Sequence, residues 1–80
     1  MRDRLVSTVI PVTGVRDDDD VRRSLQALFD VFASQGLGQA TFEITEGGTE
    51  LFVKHKASVT PDLAVIDAVL RSAGDYGVAR

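Results

Sequence analysis

Cysteine is absent from the 80 residues of this chain. The protein therefore forms no disulfide bond, offers no thiolate ligand to a soft metal ion and has no cysteine nucleophile. Histidine is nearly absent, because His55 is the only one. One imidazole does not build a metal centre alone, and no neighbouring serine or aspartate suggests a catalytic triad. The sequence predicts a protein that is not an enzyme.

Long apolar runs and an excess of one charge are also missing. No apolar run approaches the about 20 residues that cross a bilayer, so no membrane insertion is predicted. The N-terminal region lacks the apolar core of a signal peptide, and a cytoplasmic location is expected. The net charge is −3 and the nine Lys and Arg are scattered, which argues against nucleic acid as a partner. The length predicts one domain over residues 1–80.

Alternation of apolar and polar residues predicts the strands. A hairpin is expected around Glu46-Gly47-Gly48, because glycine adopts the positive φ angles of tight turns. The expected strands cover residues 5–12, 40–45 and 49–56, with a short final strand over 76–79.

Apolar residues at helical spacing predict two helices. The first is expected from Asp18 or Asp19 to Ser34, with one buried stripe formed by Val21, Leu25, Leu28, Phe29 and Phe32. The second is expected to have Thr60 as its N-cap and Pro61 at its first position, and to end before Gly74.

The predicted order of elements is therefore β-α-β-β-α-β. Each helix has one apolar stripe and each strand one apolar face, so both helices should cover the same face of one sheet. The fold expected is α+β, a ferredoxin-like βαββαβ sandwich with a four-stranded antiparallel sheet and two helices on one face.

The junction of the first strand and helix, Gly14-Val15-Arg16-Asp17-Asp18-Asp19-Asp20, carries a further likeness. Together with the element order and the Ser58-Val59-Thr60-Pro61-Asp62 segment, it resembles the heavy-metal-associated domain of copper chaperones and metal-pumping ATPases. That family has Gly-Met-x-Cys-x-x-Cys at this junction, and Asp17 and Asp20 stand at the cysteine positions. The resemblance implies the scaffold without its soft-metal site, because carboxylates are hard ligands.

The acidic junction has two readings. Asp17 and Asp20 could bind a hard divalent cation such as Mg²⁺ or Ca²⁺, because clustered carboxylates are suitable ligands. The reading that the sequence favours is that they cap the first helix, since an aspartate at this position accepts hydrogen bonds from free backbone N–H groups. No other cofactor is predicted.

A partner surface is predicted on the sheet face away from the helices. Val9, Phe52 and Lys54 fall on that face in the expected strand register. The leading hypothesis is a small non-enzymatic binding module that contacts a protein partner or forms a homo-oligomer. Hard-cation binding at Asp17 and Asp20, and a regulatory domain resembling the ACT family that senses a small ligand, are the alternatives.

Overall fold

A computed structural model of the chain describes residues 4–79. Its strands form one antiparallel sheet in the order β2-β3-β1-β4, and the predicted α+β fold with a βαββαβ layout is confirmed. Met1, Arg2, Asp3 and Arg80, which the predicted domain includes, lie outside the described residues. The elements are β1 (Leu5–Thr13), α1 (Asp18–Gln35), β2 (Ala40–Thr45), β3 (Gly48–Lys56), α2 (Leu63–Ala73) and β4 (Gly77–Val78).

The core lies between the sheet and the two helices. Alternate residues of β1 and β3 point into it, as the period of a half-buried strand requires. On the opposite face of the same strands, Leu5 and Lys54 are exposed, so both helices cover one face and leave the other open. The core side chains include Ile10, Val12, Leu28, Phe32, Leu51, Val53, Ile66 and Leu70.

The apolar stripe predicted for α1 is wrong at Phe29, which is 74% exposed. The buried positions are Ser24, Leu28 and Phe32, which are spaced by four residues and form one line along the helix. Phe29 lies about 100° around the helix from Leu28. Periodicity identified the apolar side of α1, but the neighbouring elements cover only part of its width.

The predicted start of α2 is also corrected. Asp62, and not Thr60, is the N-cap, and its Oδ1 accepts from the N–H groups of Ala64 and Val65 at 3.1 and 3.3 Å. One oxygen of the Asp62 carboxylate accepts from both N–H groups. The hydroxyl of Thr60 does not reach these N–H groups. Pro61 is buried just before the helix and sets its entry without belonging to it.

Candidate functional site

The acidic loop, residues 14–20, begins at a glycine that no other residue replaces easily. Gly14 has φ +86°, and a Cβ placed there would lie 1.9 Å from the carbonyl oxygen of Asp75. The loop therefore packs directly on the backbone that follows α2. Thr49 fixes it from the sheet side, because its Oγ1 donates to the Val15 carbonyl at 2.6 Å. These two contacts fix the position of the loop at the N-terminus of α1.

Asp17 is the N-cap of α1. Its Oδ1 accepts from the Asp20 N–H at 2.9 Å, and its carbonyl accepts the first helical hydrogen bond, from Val21 N–H at 3.0 Å. Asp18, Asp19 and Asp20 fill the first turn, where negative charge meets the positive end of the helix dipole. The run of four aspartates thus has a structural use at this end of the helix.

Asp20 connects the loop to the end of the chain. Its Oδ1 accepts from the Tyr76 hydroxyl at 2.6 Å and its Oδ2 from the Arg16 N–H at 3.0 Å. These bonds, that from Tyr76 first, lower the pKa of Asp20, and the bond to Asp20 raises the pKa of Tyr76. Arg23 acts in the opposite direction and lowers the pKa of Tyr76.

The two predicted metal ligands are therefore engaged with protein donors. Asp17 Oδ1 and both oxygens of Asp20 accept hydrogen bonds. Within residues 4–79 there is no group of three or more His, Cys, Asp or Glu side chains arranged to hold a metal ion. Capping accounts for the placement of both residues, and binding of a divalent cation there stays a prediction.

Tyr76 is the residue of this cluster that sequence reasoning missed as a contact of the loop. It is 56 positions from Asp20, so no local pattern joins the two residues. A weak signal existed, because a buried tyrosine needs a hydrogen-bond partner for its hydroxyl. Tyr76 is 6% exposed, but nothing in the sequence selects Asp20 among the acidic residues as the partner of its hydroxyl.

The predicted partner surface lies on the uncovered side of the sheet. Val9 is 45% exposed and lies directly opposite Phe52 in the β1–β3 register. Phe52 is half-buried and has Thr41 of β2 on its other side, while exposed Lys54 lies opposite Ser7. The structure therefore brings the three predicted residues together on one face, here called the open face.

Charge on the open face is divided between its two ends. Near the β2–β3 turn, Glu43 lies directly opposite Glu50. Lys54 and Lys56 occupy the other end of β3. The face thus has an acidic end, an apolar centre at Val9 and Phe52, and a basic end.

His55 lies on the other side of β3, in the core. It is 5% exposed, its Nε2 lies 2.6 Å from Thr8 Oγ1, and its Nδ1 lies 2.8 Å from the Lys56 carbonyl oxygen. Because a carbonyl oxygen accepts and does not donate, Nδ1 carries a proton. Both ring nitrogens have partners, and His55 holds β3 against β1.

An apolar groove of about 350 Å³ lies between α1 and the start of β2. Exposed Phe29 forms part of its wall, and Ala40, the first residue of β2, forms another part. We call this the edge groove, because β2 is the outermost strand of the sheet. Ile44, further along the same strand, is 43% exposed. The groove is lined by Leu25, Leu28, Phe29, Phe32, Leu37 and Ala40, among others.

Comparison of the chain with protein-family models, with curated proteins and with solved structures finds no significant match. Within residues 4–79, neither helix is long and apolar enough to cross a membrane. Function therefore has to be inferred from the surfaces of the molecule itself.

Proposed function

We propose that this chain is a non-enzymatic binding module, on a scaffold resembling the heavy-metal-associated domain without its thiolate site, that docks a protein partner through the open face. The observation that carries this proposal is the pair formed by Val9 and Phe52, which lies uncovered at the centre of the sheet. Glu43 and Glu50 border the pair on one side, and Lys54 borders it on the other.

This arrangement has the anatomy of a protein interface. Apolar and aromatic side chains form the centre of such interfaces, and charged residues form their rim. Burial of the Val9 and Phe52 side chains supplies the favourable free energy, at about 25 cal/mol per Å² of apolar area. The charged ends supply orientation, because a partner with the opposite arrangement of charges fits in one direction.

The polar groups of the molecule support a role without catalysis. Asp17 and Asp20 are engaged in capping, and both nitrogens of His55 have partners inside the fold.

The two alternatives have less support. Asp17 and Asp20 already accept hydrogen bonds from backbone N–H groups and from the Tyr76 hydroxyl, so a cation would compete with these donors. A sensor of amino acids needs charged or polar groups in its pocket to fix the orientation of the ligand. The side chains that line the edge groove are all apolar.

The proposal is tested by affinity capture of partners from extracts of the source cells. Val9→Lys adds a charge at the centre of the open face, and Val65→Lys is its matched control, because Val65 is 41% exposed on α2. We expect proteins captured by the wild type and by Val65→Lys to be lost with Val9→Lys. Equal capture by both variants, with unchanged circular dichroism, would reject the open face as the docking surface.

A further inference from the structure

We infer that two copies of this chain associate side by side through β2, so that their sheets join across a two-fold axis and the edge groove of each copy receives Ile44 of the other. The inference rests on the proposed function as a binding module, and it names a second copy of the chain as one partner. It concerns a surface different from the open face.

The edge of β2 is free to pair. Within residues 4–79, β2 is an edge strand and pairs with β3 alone. Natural sheets commonly protect such an edge with proline or lysine, and Ala40–Thr45 contains neither. Two consecutive residues, Gly38 and Gln39, share Lys54 as their backbone partner, a β-bulge that lies before the regular part of the strand.

The hairpin register determines which backbone groups face outward. Thr45 and Gly48 are opposed across a two-residue turn, and Lys54 N–H donates to the Gln39 carbonyl. Odd-numbered residues of β2 therefore exchange hydrogen bonds with β3, because bonded and non-bonded pairs alternate along an antiparallel ladder. The N–H and C=O groups of Ala40, Phe42 and Ile44 consequently point away from the sheet.

These outward groups select one register for a second copy. A two-fold axis at Phe42 pairs Phe42 with Phe42 of the second copy, and pairs Ala40 with Ile44 in both directions. Each such pair exchanges two backbone hydrogen bonds. Glu43 then lies opposite Thr41 of the second copy, whereas a two-fold axis at Glu43 would place two carboxylates directly opposite each other, which is unfavourable.

The same register fills the edge groove. Ala40 is a small side chain in the wall of the groove, and Ile44 of the second copy lies directly opposite it on the helix-facing side. Ile44 enters the groove beside Phe29, and both side chains, now 43% and 74% exposed, become buried. Phe29, which is largely exposed in one copy, thereby gains a contact with the second copy.

Charge complementarity also favours a second copy over another partner. The turn end of the hairpin is acidic, with Glu43, Glu46 and Glu50, and the other end is basic, with Lys54 and Lys56. Antiparallel pairing of two identical edges reverses one hairpin relative to the other. The acidic end of each copy therefore lies beside the basic end of its mate, and this attraction weakens as salt is added.

The test combines sedimentation equilibrium with amide hydrogen exchange on the full chain. We expect a dimer whose population rises with protein concentration and falls with added salt. On dimerisation, exchange should slow at the Ala40, Phe42 and Ile44 amides. The Thr41 and Glu43 amides, already bonded to β3, should change little.

Phe29→Lys is the variant that tests the groove, and Leu5→Lys is its control. Phe29 is 74% exposed and Leu5 is 65% exposed, so both variants should fold as the wild type does. We expect Phe29→Lys to raise the dimer dissociation constant about tenfold or more, as loss of an aromatic residue at an interface does. Leu5→Lys should leave it unchanged.

Three results would overturn the inference. The first is a chain that stays monomeric at about millimolar concentration, where contacts worth about 4 kcal/mol are populated. The second is a dimer that protects the Ser7 and Val9 amides in place of those of β2. The third is a monomer whose groove binds a small apolar ligand. Loss of the dimer with partner capture intact rejects this inference alone. Loss of partner capture in Val9→Lys with the dimer intact rejects the open face alone.

Discussion

The acidic loop and the β2 edge differ in how fully the fold satisfies their groups. In the loop, the carboxylates of Asp17 and Asp20 accept from backbone N–H groups and from the Tyr76 hydroxyl. At the edge, the outward backbone groups of β2 have no neighbouring strand in the described part of the chain, and Phe29 is exposed beside them. The polar groups of the first region have partners within the described chain, and the outward backbone groups of the second do not.

This difference matters for assigning function. A cluster of four aspartates in a sequence is a candidate metal site, yet here hydrogen bonds of capping geometry explain its position. An apolar residue at helical spacing is read as part of the core, yet Phe29 is 74% exposed beside the edge of the sheet. Groups that the fold leaves unsatisfied are therefore the better guide to partners.

Substitution of Gly14 should have the largest effect on stability. Gly14→Ala combines a left-handed φ with a Cβ that meets the Asp75 carbonyl, so the backbone has to move. We expect a loss of about 4 kcal/mol or more in the free energy of unfolding, measured with urea. Gly47→Ala is the control, because nothing lies within 4 Å of a Cβ there. A mild effect of Gly14→Ala would mean that the loop is not held against the end of α2.

Phe32 and Phe29 should separate the core from the edge. Phe32→Ala removes a side chain that is 6% exposed and should cost about 3 kcal/mol or more in unfolding free energy. Phe29→Ala removes one that is 74% exposed, and in dilute solution it should change stability by less than about 0.5 kcal/mol. Equal losses of stability for Phe32→Ala and Phe29→Ala, measured by thermal and urea unfolding, would show that Phe29 belongs to the core of the monomer.

Asp17→Ala tests whether the loop acts as a cap. Its side chain accepts the Asp20 N–H, and loss of an N-cap acceptor should lower the free energy of unfolding by about 1 kcal/mol. Asp18→Ala is matched in charge and lies one residue further along α1. It should cost a few tenths of a kcal/mol through the helix dipole. Equal losses for the two variants would leave general electrostatics, and not the cap, as the explanation.

The sequence predicted those parts of the fold that depend on local patterns. Alternation located β2 over Ala40–Thr45 as the structure has it, and glycine at Gly36 marks the end of α1 with a left-handed φ of 71°. The start of α2 was misplaced by two residues, because Thr60 and Asp62 are both capping residues. Local propensity does not choose between them when the buried Pro61 lies in between.

Contacts between distant parts of the chain were beyond the reach of these patterns. The predicted apolar stripe did not include the polar Ser24, yet Ser24 is fully buried in α1. The bond between Tyr76 and Asp20 joins residues 56 positions apart. The sheet face on which Phe52 lies was predicted correctly, because the alternation of a strand is a local pattern. The groove beside Phe29 was not predicted, because it depends on how far the sheet extends under α1.

The smallest predicted effect concerns the pH dependence of the bond between Tyr76 and Asp20. The lowered pKa of Asp20 means a contribution to stability that is present above its ordinary value of 3.8 and is lost as pH falls through the folded-state value. The raised pKa of Tyr76 means a contribution present below its ordinary value of 10.0 and lost as pH rises through its folded-state value. Tyr76→Phe should therefore destabilise the protein most between these limits, and its difference from the wild type should narrow on both sides.

Thermal unfolding across this pH range measures that difference. The matched control is the same substitution in an Asp20→Asn background. There, Tyr76→Phe should have a smaller effect on stability at acidic pH, and that effect should no longer follow the titration of Asp20. A difference between wild type and Tyr76→Phe that stays constant from acid to alkaline pH would show that the Tyr76 hydroxyl is not coupled to the charge of Asp20. In that case the acidic loop would owe its position to Gly14 and the Asp17 cap, and its carboxylate at Asp20 would be freer for a ligand than the 2.6 Å bond indicates.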